Sequence, residues 1–246
     1  MTVDKTMTAK IVVQAGLLLA LASMVTAIVA GLGHRWHWWS FGSSFGILKW
    51  AVYGSITALL VSAVAMFLTR PGRGPDGFGW SLLACLISIT LVSVPLFWLY
   101  RAKQAPRIHD ITTDTQDPPQ FIAVLPLRQD APNPVQYGGL SIAIQQQKSY
   151  PDIHSLLLSG STQDTFEKAL ATARALGWTI VAAEPDASRI EATDTTFWFG
   201  FKDDIVIRIR ASDNGSRLDI RSLSRVGLSD VGTNARRIRT FIQMMK

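Results

Sequence analysis

Arg221-Ser222-Leu223-Ser224-Arg225-Val226-Gly227-Leu228-Ser229-Asp230-Val231-Gly232-Thr233-Asn234-Ala235-Arg236-Arg237-Ile238-Arg239 reads as the end of a β-strand, a glycine-punctuated turn and a basic amphipathic helix. Ser229 and Asp230 each offer an oxygen to the free N–H groups of the helix's first turn. Val231, Ala235, Ile238, Ile242 and Met245 recur at three- and four-residue spacing, which makes an apolar stripe that must pack on something. Arg236, Arg237 and Arg239 fall away from that stripe, on a face expected to meet solvent or, near a membrane, anionic lipid. Gly227, Ser229 and the N–H groups opening the helix also have the chemistry to hold an anion.

Just upstream, Asn214-Gly215 is a two-residue hairpin signal, because a type I′ turn requires positive φ at both central residues. Counted from that turn, Ala211 faces Leu218, Arg210 faces Asp219, Ile209 faces Ile220 and Arg208 faces Arg221. Ile205, Ile207, Ile209, Leu218 and Ile220 then share the core face. Arg210 with Asp219 is an ordinary cross-strand ion pair, whereas Arg208 directly opposite Arg221 costs energy unless negative charge lies between them. Either a carboxylate such as Asp110 or Asp114, in bidentate geometry, or a bound anion would supply it. Arg208, Arg221 and Arg225, with Asp110, Asp114 and His109, are therefore the candidate ligand- or anion-binding residues. Against that, Asp and Thr in a segment like His109–Asp114 commonly bond their own backbone in turns.

Farther upstream, Ser161-Thr162-Gln163-Asp164 has the form of a capping box. Phe166, Ala169, Leu170, Ala173 and Leu176 follow on one helical face, and Gly177 is the stop. Trp178–Ala183, Arg189–Thr193, Thr196–Phe201 and Asp204–Ala211 are short strand-like runs with turn residues between them. Gln104–Tyr150 is rich in Pro, Asp, Thr and Gln and is expected to be extended and looped. The soluble part, 104–246, is thus predicted to be an α+β domain, an antiparallel sheet of four or five strands covered by two helices.

The closing stretch resembles the closing motif of a family of bacterial and plastid proteins catalogued as a domain of unknown function. Pro106-Arg107-Ile108-His109-Asp110-Ile111-Thr112-Thr113-Asp114-Thr115-Gln116-Asp117-Pro118-Pro119-Gln120-Phe121 resembles that family's opening motif. The resemblance covers roughly Pro106 to Phe241 and supplies a domain without a chemistry. Plastid relatives are placed in the thylakoid lumen, so the resemblance implies a periplasmic location for the equivalent bacterial domain.

The first hundred residues are different in kind. Hydrophobic residues make up 48% of the chain, and the excess is concentrated before residue 101. Ile11–Leu32, Trp50–Leu68 and Trp80–Tyr100 contain no Asp, Glu, Lys or Arg and are each long enough to cross a bilayer as a helix. Residues 1–103 are read as a three-span membrane region whose first span is an uncleaved anchor, and Pro95 is expected to bend the third. Gly16, Ala20, Ser23, Ala27, Ser55, Ala58, Ser62 and Ala65 recur every three or four positions and favour close helix packing. Arg70–Gly77 is a turn. His34–Gly42 holds three tryptophans and two histidines in nine residues. Trp36, Trp38, Trp39 and Phe41 are expected at the membrane interface or against a partner, and His34 with His37 is at most a partial metal site.

Six Lys/Arg and two Asp/Glu precede residue 101, with eighteen and sixteen after it. The soluble half is only mildly basic, which argues against nucleic-acid binding. Cys85 is a lone cysteine, so there is neither a disulfide framework nor a cysteine metal site, and no cofactor is expected. The positive-inside count is nearly balanced. A multi-pass inner-membrane protein with its C-terminal domain in the periplasm is expected because large domains translocate largely regardless of charge. A membrane-anchored binding or accessory protein is the leading expectation, with the lipid bilayer and a membrane-protein partner as its neighbours. The alternative is a hydrolase of an anionic envelope substrate using His109 or Asp110 as base, although no familiar nucleophile or metal motif is present.

Overall fold

The computed structural model describes residues 5–72 and 76–246. The chain forms two compact units, Met1–Tyr100 with Phe197–Gly200, and Arg101–Thr196 with Phe201–Lys246. Of the turn expected at Arg70–Gly77, Arg73, Gly74 and Pro75 lie outside the described residues.

The first unit is built on three helices long and apolar enough to cross a membrane: α1 (Lys5–Arg35), α2 (Phe41–Leu68) and α3 (Phe78–Gln104). The charge-free runs therefore sit inside longer helices, and α2 begins at Phe41 rather than Trp50. Ser40 caps it by accepting from the Ser43 N–H at 3.3 Å. Helix α3 continues through Pro95. The small residues do what their spacing implies. Ala20, Ala58 and Ala84 meet at the centre, one from each helix, and Ser55, Ser62 and Ala65 are buried on α2. A Cβ on Gly16 would stand 2.5 Å from Ser62 Oγ and 3.3 Å from Ser62 Cα, so α1 and α2 approach backbone to backbone. The segment Phe197–Gly200 completes this unit, with the Trp198 indole donating to the Ile28 carbonyl at 3.2 Å.

The second unit is α+β. Its strands are β1 (Asp110–Thr112), β2 (Leu156–Leu158), β3 (Thr179–Glu184), β4 (Arg189–Thr195), β5 (Lys202–Ser212) and β6 (Gly215–Ser224). They form one antiparallel sheet in which β3, β4, β5 and β6 run as a meander. The outer edge of β6 is shared by β1 and β2 in tandem. Helices α4 (Gly139–Ser149), α5 (Thr162–Ala175) and α6 (Thr233–Met245) complete the unit.

Side-chain alternation divides the sheet sharply. Ile190, Ala192, Ile205, Ile207, Ile209, Leu218 and Ile220 point to one face, where α5 contributes Phe166, Ala169 and Ala173, and α6 contributes Ala235, Ile238, Phe241 and Met245. Trp178 stacks on Phe241 with ring centroids 5.5 Å apart. The capping box of α5 is present, Ser161 Oγ accepting from the Asp164 N–H at 3.1 Å, and Gly177 ends the helix at φ +78°.

Four expectations require correction. The hairpin loop is Asp213-Asn214, with Ser212 paired to Gly215, so Arg208 faces Asp219, Arg210 faces Arg217 and Val206 faces Arg221. A type I′ turn would need positive φ at both loop residues, yet only Gly215, at φ +138°, has it. The pairing is displaced by two residues, which preserves every face because the side-chain period is two. Thr196–Phe201 is not a strand. The chain leaves the sheet there, and a Thr196 N–H to Phe201 carbonyl bond of 2.9 Å closes the loop, so its aromatic, β-favouring composition misleads. Gln104–Tyr150 is not wholly looped, because α4 forms within it. That helix rests on a polar contact: Gln146, 1% exposed, accepts from the Thr112 N–H at 3.0 Å and donates to the Thr112 carbonyl at 2.6 Å, covering the free edge of β1 as another strand would. Finally, Arg237 is not solvated. It is buried between Asp194 and Asp203, whereas Arg239 pairs with the exposed Asp152 as a surface arginine does.

Asp230 caps α6, accepting from the Gly232 N–H at 2.9 Å and the Asn234 N–H at 2.7 Å. Burial pushes its carboxyl above the usual carboxylate range, against the downward pull of those two amides. The folded state thus holds this proton more tightly than the unfolded chain, and its contribution to stability falls as pH rises from 3.8 through the raised value. Asp230→Asn should flatten that part of the pH dependence, read as amide-exchange protection of α6 across the acid range. In the first unit, Gly16→Ala should lower the thermal midpoint of the detergent-solubilised chain more than Gly54→Ala. The Gly16 Cβ meets Ser62 backbone, while the Gly54 Cβ meets chiefly the rotatable Ser23 hydroxyl.

Candidate functional site

The second face of the sheet is charged. Glu191 and Thr193 on β4, Asp204 and Arg208 on β5, and Asp219 and Arg221 on β6 all point to it, with Arg225 just beyond β6. The segment from Thr113 to Tyr137 lies over them and is held by ions as much as by its small apolar contacts, Phe121 and Val124 against Val206 and Leu223.

Arg221 is the centre of this arrangement and is wholly buried. Its Nε and Nη2 donate to the two carboxylate oxygens of Asp110 at 2.9 and 2.8 Å. Nη1 donates to the Pro119 carbonyl at 3.1 Å, and Nη2 donates in addition to the Val135 carbonyl at 2.7 Å. The rings of Phe121 and Tyr137 lie 5.0 and 5.6 Å from the guanidinium carbon. Burial and the neighbouring Asp110 carboxylate push the Tyr137 hydroxyl up to about 12, and that hydroxyl is buried without a hydrogen-bond partner among the described residues.

Two buried carboxylates anchor the overlying segment elsewhere. Glu191 accepts three consecutive backbone N–H groups, from Ile122, Ala123 and Val124, at 2.9, 3.0 and 3.0 Å. Asp204 receives Arg128, the Nε and Nη2 of Arg225 at 2.9 and 2.8 Å, and Thr193 Oγ1 at 2.7 Å. Arg225 also donates to the Leu127 carbonyl, and Arg128 to the Asn133 carbonyl at 3.0 Å.

The third cluster joins the opening motif to the hairpin. Asp114 accepts from Arg217 at 2.6 Å and from Arg208 at 3.4 Å, while also taking the Gln116 and Asp117 N–H groups as a turn residue does. Arg208 reaches Asp219 at 3.0 Å, and Asp219 is wholly buried with Ser155 Oγ 2.6 Å away. The like-charge neighbours on the hairpin are Arg210 and Arg217, and negative charge does lie beside them: Asp117 against Arg210, Asp114 against Arg217. The hydrogen bond from Arg210 holds the Asp117 carboxyl below the usual range.

The sequence-selected residues thus fall into three separate ion-pair clusters on one face, Arg221 with Asp110, Arg208 with Asp114, and Arg225 with Asp204. His109 is half-buried next to the first; its carbonyl accepts from the Ser224 N–H at 3.0 Å and from Asn234 at 2.9 Å, and its Nδ1 is buried without a hydrogen-bond partner. Glu191, Asp204, Arg128 and Arg217 were not singled out in the sequence, and Asp219 was read only as the cross-strand partner of Arg210. Their signal is the charged alternation of Asp204, Arg208 and Arg210 with Arg217, Asp219, Arg221 and Arg225, which an ordinary solvated sheet face would share. Among the described residues no group of three or more His, Cys, Asp or Glu is arranged to hold a metal ion.

In the first unit, the tryptophan stretch is the tight connection from α1 to α2. Trp36 and Trp38 are 53% and 62% exposed and lie 5.0 Å apart, and Phe41 is exposed at the start of α2. Trp39 turns inward and donates to the Ala30 carbonyl at 3.1 Å. His34 Nδ1 lies 2.6 Å from the Phe199 carbonyl.

A family model described as "Protein of unknown function (DUF1499)" matches residues 110–245, more than half of the chain. No curated protein matches it.

Removing one partner of a buried ion pair leaves an uncompensated charge, which costs about 3–5 kcal/mol, whereas replacing both by apolar groups is close to neutral. Asp110→Ala should therefore destabilise the second unit by about that amount. Asp110→Leu with Arg221→Met should recover most of the loss. Arg225→Ala should cost less, because Asp204 retains Arg128 and Thr193. Denaturation midpoints of the solubilised chain give the ranking.

Proposed function

The chain belongs to the DUF1499 family, and from that premise and the geometry above we propose that it is a membrane-anchored binding or accessory protein whose second unit engages a protein partner. We place that unit on the periplasmic side of a bacterial inner membrane, as part of a larger membrane assembly. The spans, the disregard of translocation for the charge of large domains, and the lumenal setting of plastid relatives support this location.

The observation that carries the reading is an aliphatic ridge on the segment overlying the charged face. Ile122, Leu125 and Leu127 are 51%, 42% and 53% exposed within six residues of chain. Scattered exposed aliphatic residues are ordinary. Here, however, the backbone carrying them is fixed by two wholly buried carboxylates, Glu191 from below Ile122–Val124 and Asp204 through Arg128. A ridge held rigid in advance loses little conformational entropy when a partner covers it, which favours association. The ion pairs beneath it satisfy one another, so the charged face acts as its mount.

Gentle detergent extraction from the native membrane, followed by native-gel mass analysis, tests the proposal. The chain is expected to co-migrate stoichiometrically with one defined protein or complex. Leu125→Asp and Leu127→Asp, which alter only exposed positions, should release the partner while preserving the thermal midpoint. A wild-type chain that migrates alone overturns the reading.

A further inference from the structure

Lined by α1 and the start of α3, the first unit holds an open cavity of about 700 Å³. Lys10 and Gln14 of α1 and Asp76 and Trp80 at the start of α3 form its polar rim, and Leu17 and Leu83 line its apolar floor. The sequence places this cavity in depth. Lys10 immediately precedes the charge-free run that begins at Ile11, and Trp80 opens the run that ends at Tyr100. The rim therefore lies at headgroup level, where a 59%-exposed tryptophan is favoured, and the floor continues into hydrocarbon.

The lining carries charges of opposite sign from two segments, Lys10 on α1 and Asp76 just ahead of α3. Lys10 and Asp76 are both exposed, and neither has an ion-pair partner among the described residues. We propose that this cavity binds one zwitterionic glycerophospholipid with a primary-amine headgroup. Lys10 and the Gln14 amide take the phosphate, Asp76 takes the ammonium, and an acyl chain runs over Leu17 and Leu83. A headgroup carrying only negative charge would be repelled by Asp76. A quaternary ammonium has no N–H to donate to a carboxylate and is better held by several aromatic faces, of which this rim has one. The primary-amine headgroup satisfies both charges. The inference stands on the first unit alone and does not depend on the second unit having a protein partner.

The test uses the full chain, delipidated by detergent exchange and offered phosphatidylethanolamine, phosphatidylglycerol or phosphatidylcholine of matched acyl chains, with retention read by native mass spectrometry. One phosphatidylethanolamine should be retained about tenfold more strongly than either other lipid, the worth of one charge-assisted hydrogen bond. Lys10→Ala should weaken retention of phosphatidylethanolamine and phosphatidylglycerol alike. Asp76→Asn should abolish the preference for the amine headgroup without abolishing binding. Both positions are exposed, so the bundle is expected to keep its thermal midpoint. Equal retention of the three lipids, a preference for phosphatidylglycerol, or a preference indifferent to both substitutions overturns the proposal.

Discussion

An arginine cannot shed its charge inside a protein, so a wholly buried guanidinium obliges its surroundings to supply acceptors for all its donors. Arg221 imposes that obligation on the second unit. Asp110 meets it from β1, the Pro119 and Val135 carbonyls meet it from the overlying segment, and Phe121 and Tyr137 stand against its faces. Satisfying this one side chain brings the start of the domain, the middle of its longest irregular segment and its last strand to the same place. The Asp110–Arg221 pair thereby ties the first residue of the matched region to the last strand of the sheet.

The sheet consequently has two cores of different chemistry. On the helix side, isoleucines of β4, β5 and β6 pack under α5 and α6, and water exclusion is the driving force. On the other side a small apolar cluster around Val206 and Leu223 sits among ion pairs, and Glu191, Asp204 and Asp219 are each wholly buried beneath backbone amides or arginines. Ion pairs of this sort contribute less net stability than hydrophobic packing, but they are directional. That directionality fixes an irregular segment which has too few apolar residues to fold down by itself, and so holds Ile122, Leu125 and Leu127 outward.

The first unit obeys other rules, because lipid tails are as apolar as leucine and offer no hydrophobic drive for helix association. Close approach has to come from small side chains. Alanine meets alanine at the centre of the three helices, and glycine faces serine at Gly16 with Ser62 and at Gly54 with Ser23. Large apolar side chains such as Trp50, Leu60, Leu86 and Phe97 are left facing outward, as expected for helices in hydrocarbon.

Much of this was legible from residue order. Charge-free runs of about twenty residues specify spanning helices because hydrocarbon tolerates no unsatisfied backbone. The capping box at Ser161, the stripe of α6 and the alternation of β5 and β6 are local periodicities that report which face is buried whatever lies against it. Even the misplaced hairpin loop left the faces intact. Only the tertiary structure decided what long-range polar partners decide. Gln146 makes a helix out of a polar stretch by bonding to Thr112, and Arg237 is buried because Asp194 and Asp203 converge on it. Charges on alternate strand positions read the same whether they face water or carboxylates from distant parts of the chain. Hydrophobic burial leaves a period in the sequence, whereas the pairing of two charges about a hundred residues apart, as with Asp110 and Arg221, leaves none, and it exists only once the fold has brought them together.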